Sequence, residues 1–289
     1  MAPSPAPVVS DPRPPWPVQW SALVDDAAIF PPGDADLDDA LRTYTARRDE
    51  WYADLVGSFV VTDIRLGSVP SGVPVSVVLT TGAGAVEGVA SLAARKDLRL
   101  AGIEVAVRDA DDPAGNVRRI DAAVRAAELD VPVFVEVPGP PTAAWLGAAD
   151  EVAGCGLRLK LRLGNVDHDL VPDAPTVAAW IDAALDRETP FKATAGLHRA
   201  VRHDPEGGGS HGFVNVLAAT KALWDGGTVA DATAVLEQRD GAALAAGLAA
   251  EDVASARRWF TSFGSCSVTE PLDDLVALGL VSPTPAEDA

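Results

Sequence analysis

The chain has few cysteines, few basic residues and no long apolar run. Its two cysteines, Cys155 and Cys266, are too few for a disulfide framework or a four-ligand zinc site. Lysine and arginine total 23 against 42 aspartates and glutamates, a formal charge of −19. That surface repels phosphate and predicts no nucleic-acid groove. No apolar stretch approaches the ~20 residues of a membrane span. The opening MAPSPAPVVSDPRPPWP lacks a basic segment followed by an apolar one, so it predicts no secretory leader and a cytoplasmic protein. No linker-like stretch divides the chain; PEGGGS at 205–210 is only loop-length.

What is present reads as globular, with 48% apolar and 22% charged residues in 289. Residues 1–17 carry seven prolines and predict an extended tail; residues 283–289 form a polar one. Between them, 18–282 reads as one domain. Short β-rich runs fall at 22–26, 59–63, 75–80, 101–107, 133–137, 157–163, 191–196 and 260–264. Alanine-rich segments with helical spacing separate most of them. Eight strand–helix units in about 250 residues match a single (β/α)8 TIM barrel, an α/β fold with parallel strands. The alternative is a doubly wound open sheet, but the first strand is followed by AAIFPPGD rather than a Gly-rich phosphate turn. The stretch 228–258 predicts extra helices before strand 8.

Strand parity then places charges. Barrel strands alternate between a helix-facing and an interior side. In LRLKLRL (157–163) the leucines form the helix-facing row, which sends Arg158, Lys160 and Arg162 inward. The same parity turns Glu104, Glu136 and Lys192 inward from strands 4, 5 and 7. Buried charges gather where they are paired or used. Glu104, Glu136, Lys160 and Lys192 are therefore the candidate catalytic set. Two neighbouring lysines suggest amine catalysis, one ammonium lowering the pKa of the other so that it attacks a carbonyl. Lys160 is the first choice of nucleophile, Lys192 its partner, Glu136 the proton shuttle and Glu104 its partner or a substrate contact.

Here the sequence resembles barrel-type class I aldolases of the deoxyribose-phosphate aldolase kind. Lys160 falls where that family carries its Schiff-base lysine, and FKATAGLHR (191–199) is similar to its strand 7 pattern. Leu161-Arg162-Leu163-Gly164 stands where the family has Thr-Ser-Thr-Gly. More of the chain resembles a family of uncharacterised bacterial barrel proteins, through DDAAIFPPG, VGSFVV, PFKATAGLHRAVRH and HGFVNVLAAT. That resemblance implies a shared fold and no chemistry.

The strand 7 and 8 ends suggest an anion site. Thr194, Gly196, Ser265 and Ser267 close the two strands, and Ser267 with Glu270 reads as a capping box. Arg162 or Arg199 supplies charge. His198, His203 and His211 cluster in sequence, but strand 1 lacks the His-x-His of barrel metallohydrolases; His198 is assigned to substrate contact and no metal site is predicted. A Mg²⁺-dependent enolase-type lyase or isomerase, with Glu104, Glu136 and Lys160, is the second enzymatic reading. Cys266 reads as a packed thiol rather than a nucleophile, and Trp16, Trp20 and Trp51 as packing anchors. One of the adjacent Asp25 and Asp26 must face inward.

The expectation is an aldolase-like lyase with no cofactor, acting on a small phosphorylated or carboxylated carbonyl compound. A homo-oligomer stays open. The non-enzymatic alternative is a ligand-binding or scaffold barrel. It requires the four charges to form a closed salt-bridge net with no cavity above it.

Overall fold

The computed structural model describes residues 16–164, 171–204 and 210–283. Nearly all of both predicted tails lies outside that set. Eight parallel strands close into a barrel in chain order: β1 Val24–Asp26, β2 Val56–Thr62, β3 Pro74–Val78, β4 Arg99–Ala106, β5 Val133–Glu136, β6 Arg158–Arg162, β7 Phe191–Thr194 and β8 Phe260–Ser265. Every predicted strand is present. Helices α1 (Leu37–Ala46), α2 (Val86–Lys96), α3 (Pro113–Ala126), α4 (Ala143–Gly154), α5 (Ala174–Asp186) and α6 (Phe213–Trp224) connect them, and α10 (Thr269–Ala277) follows β8. The β2–β3 connection is the exception: it crosses with a single 3₁₀ turn, Leu66–Ser68. The segment before β8 adds α7 (Val229–Glu237), α8 (Gly241–Ala246) and α9 (Ala250–Arg257), where extra helices are expected from the sequence.

The reasons are local. Asp36, Asp112, Thr142 and Asp173 each cap a helix by accepting backbone N–H bonds. The helix-facing rows are apolar and fully packed: Leu159, Val135, Ile103 and Ala193 are all at or near zero exposure. At the barrel floor, the partly buried Arg257 of α9 donates to the carbonyls of Gln19, Ser21, Phe260 and Thr261. It thereby ties the start of β1 to the start of β8. Trp16 and Trp51 pack on each other there, with ring centroids 5.8 Å apart, and Trp20 is buried.

Several boundaries differ from the sequence expectation. β1 starts at Val24 because Ala22 turns with φ +50°. β7 stops at Thr194 because Ala195 and Gly196 take φ +61° and +74°. The expected reciprocal capping box at Ser267 is only half formed. Ser267 Oγ accepts from Glu270 N at 3.2 Å, but the Glu270 carboxylate turns to His198 instead.

Candidate active site

Parity places the charges where the sequence predicts, and the structure connects them. Lys192 on β7 donates to Asp25 Oδ2 at 2.8 Å and to Glu104 Oε1 at 2.6 Å. The other oxygen of Glu104 lies 2.9 Å from Lys160 Nζ. Lys160 also reaches Glu136 at 3.3 Å, and Arg162 Nε donates to Glu136 at 2.8 Å. Asp25 receives further donors from Ser262 Oγ (2.8 Å) and from Ser58 Oγ and N (2.7 and 3.0 Å). Ser76 closes the chain on Ser58. Asp25, Glu104 and Glu136 thus balance Lys160, Lys192 and, at the mouth, Arg162, which is how five charges reside in a barrel interior.

The electrostatics follow from that chain. Burial alone would raise the Glu104 carboxyl, but the flanking Lys160 and Lys192 ammonium groups outweigh it and hold it at about 2. Glu136 is also held low: burial opposes, while Lys160 and Arg162 prevail. Burial would strip Lys192 of its proton, yet Asp25 and Glu104 hold its pKa above the usual lysine range. Lys192 is a fixed cation. Its position between two carboxylates keeps it protonated.

Asp25, not Asp26, is the residue facing the barrel interior. Asp26 pairs with Arg47 at the mouth and accepts from Ala28 N; burial raises its pKa despite Arg47. Arg158 does not join the net. It lies at the floor end of β6, stacked on Phe134 at 5.6 Å. The same ring lies 5.3 Å from Lys192 Nζ.

A cavity of about 320 Å³ opens beside the net at the C-terminal ends of β5 and β6. Lys160, Glu136 and Arg162 form its polar side. Val137, Pro140 and Trp180 are among its apolar walls. Lys160 is 5% exposed and Arg162 about half exposed, whereas Lys192 lies beneath them at 1%. The Trp180 indole N–H has no acceptor among the described residues. The salt-bridge net that a scaffold requires is present, and so is the cavity that a plugged scaffold excludes.

The predicted anion-binding residues divide into two groups. Arg162 belongs to the cavity. Thr194, Gly196, His198, Ser265 and Ser267 lie at the β7 and β8 ends, outside the lining of that cavity. His198 contacts Glu270 (3.2 Å) and the Cys266 thiol (3.6 Å). Ser265 Oγ accepts from Ser267 N at 3.3 Å. Gly196 lies against Gly164 so closely that a Cβ on either would meet backbone within 3 Å. Burial pushes the Cys266 thiol up, against a reactive thiolate.

The three histidines do not converge. His198 faces Glu270, His203 forms a backbone bridge with Ser210, and His211 is buried on the Pro172 carbonyl. Among the described residues, no group of three or more His, Cys, Asp or Glu is arranged to hold a metal ion. The carboxylates expected to hold Mg²⁺, Glu104 and Glu136, face ammonium groups instead.

Sequence reasoning passed over Ser58, Ser76, Ser262 and the cavity walls. The serines carried a usable signal, since Ser58 and Ser76 alternate with the buried Phe59, Val75 and Val77. Val137, Pro140 and Trp180 carried none, because two separate segments, the β5–α4 connection and α5, bring them together.

No family model matches the chain, and no curated protein matches it. The aldolase and bacterial-family resemblances therefore gain no support from either. Among solved structures, it is similar to the DHPS of Yersinia pestis solved with a pterine–sulfa conjugate. Identity is 10%, the match covers 91% of this chain and 94% of that one, and the TM-score is 0.45. That likeness concerns overall shape and carries no chemistry to this chain. No helix among the described residues is long and apolar enough to cross a membrane.

Proposed function

We propose that the chain is an enzyme acting on a small anionic carbonyl compound, an aldolase-like lyase that works through an imine on Lys160. One observation carries the reading. Lys160 lines a cavity at the strand C-termini while its Nζ touches two carboxylates, and Lys192, the other candidate, is sealed below. Barrel enzymes place their chemistry at that end of the strands.

The residues have complementary parts. Arg162 holds the substrate's carboxylate or phosphate at the cavity mouth. The anion draws the guanidinium from Glu136, whose affinity for a proton then rises. Glu136 takes a proton from the Lys160 ammonium, and the freed amine attacks the carbonyl carbon. The carbinolamine hydroxyl leaves as water with the proton returned by Glu136, and the imine remains. Carbon–carbon cleavage follows when a β-hydroxyl loses its proton to the same carboxylate and the electrons flow into the imine. Glu104 and Lys192 stay ionised and fix the position of Lys160. These steps need no cofactor.

The test is borohydride trapping with aldehydes and keto acids, read by peptide mass spectrometry. A reduced adduct on Lys160, absent in Lys160→Met, supports the proposal. An adduct elsewhere, or none across a broad panel of acidic carbonyl compounds, overturns it and leaves the charges as a structural net.

A further inference from the structure

A second cavity, about 340 Å³, lies between the segment after β7, the end of α10 and the turn between α7 and α8. Its lining runs against the character of the chain. In a protein of net charge −19, Arg199, Arg202, Arg239 and His203 face one hollow, with Asp274 the acid among them. Ala200, Val201, Ala277 and Leu278 supply apolar wall.

Arg202 is the informative member. Its backbone N–H donates to Asn215 Oδ1 at 2.8 Å, which fixes its place. Its Nη1 lies 3.3 Å from His211 Nδ1. On the other side of that ring, Nε2 lies 2.7 Å from the Pro172 carbonyl. A carbonyl only accepts, so Nε2 carries the hydrogen and Nδ1 offers a lone pair to the guanidinium. His211 is 1% exposed, and burial pushes its pKa down, consistent with the neutral ring. A neutral acceptor thus orients Arg202 without cancelling its charge. Among the described residues, no carboxylate lies within ion-pair distance of it.

The other charges are accounted for. Asp274 accepts from Arg199 with both oxygens, at 2.8 and 2.9 Å, and from Ala200 N at 2.7 Å. Asp204 pairs with Arg239 at 2.6 Å. Asp240 is turned away and caps α8 through Ala243 N. Among the described residues, two paired guanidinium groups therefore flank one that is oriented and has no carboxylate partner.

We propose that this cavity binds the phosphate group of a small phosphorylated molecule, with Arg202 as its principal contact and Arg199 and Arg239 beside it. A phosphate dianion suits planar guanidinium forks, and a volume several times that of phosphate leaves room for the body of the ligand. The site does not depend on the chemistry of Lys160.

The experiment is titration of the full chain with inorganic phosphate, by calorimetry, in the wild type and in Arg202→Gln, Arg239→Gln and Arg162→Gln. Saturable binding that survives Arg162→Gln and weakens about tenfold or more in Arg202→Gln is the expected result. The absence of saturable phosphate binding overturns the proposal. So does binding lost in Arg162→Gln and kept in Arg202→Gln, which would place phosphate in the first cavity. If Arg202→Gln fails to fold, Arg239→Gln decides: weakened binding supports the site, and unchanged binding overturns it.

Discussion

Lys160 and Lys192 stand directly opposite in the β6–β7 register, and Glu104 reaches both, one oxygen to each, at 2.9 and 2.6 Å. A single carboxylate from β4 thus offsets the repulsion between the two ammonium groups. It also makes them unequal, because Asp25 adds a second acid to Lys192 alone, while Glu136 and the cavity adjoin Lys160.

That inequality predicts different outcomes for the two lysines. Lys192→Met leaves Asp25 and Glu104 buried without their cation and should cost about 3–5 kcal/mol. For a chain of this size the thermal midpoint should fall by on the order of 10 °C. Lys160→Met should abolish imine trapping with a smaller loss, since Glu136 retains Arg162. Calorimetric melting of both variants checks this; equal destabilisation would contradict it.

Glu104 predicts a pH dependence. Its folded pKa of about 2 lies below its ordinary value of 4.5. Its contribution is therefore complete above about pH 4.5 and is lost as pH falls toward 2. The linked stability is on the order of 3 kcal/mol. Urea unfolding between pH 3 and 7 should show a shallower acid slope in Glu104→Gln, from a lower starting stability. Parallel curves for variant and wild type would remove Glu104 as the source.

Arg162 is half exposed and sits at the cavity mouth, so its loss should affect binding more than folding. Arg162→Gln should raise the concentration of acidic carbonyl compound needed for half-maximal trapping roughly tenfold or more. Its stability should change by less than about 1 kcal/mol. A neutral aldehyde should be trapped at least as well by the variant, because Glu136 is then free of Arg162 without an anion.

Gly164 and Gly196 touch through their backbones where β6 and β7 end. A Cβ at Gly164 would lie 2.6 Å from Gly196 N and Cα. Neither segment has a flexible side chain to yield, so Gly164→Ala should cost about 2 kcal/mol or more. Trapping at Lys160 should fall with it, because β6 carries that lysine. Chemical denaturation of the variant gives the answer; wild-type stability would show that the strand ends separate freely.

The order of elements and the inward charges were legible from sequence alone. Period-two alternation is a local property, and in LRLKLRL every leucine must face the helices once the strand is buried. That reasoning brought Glu104, Glu136, Lys160 and Lys192 to one interior. It did not say who pairs with whom. The pairing depends on strand register and on Asp25, which arrives from β1 at the far end of the chain. Because the potential at each amine is set by carboxylates within a few ångströms, it was tertiary structure that made Lys192 a fixed cation and left Lys160 beside a cavity. The cavity walls and the arginine cluster around Arg202 were decided in the same way. Arg199 and Arg202 share one segment, but Arg239, Asp274 and Leu278 come from distant ones, so only closure of the barrel and its added helices could bring them together.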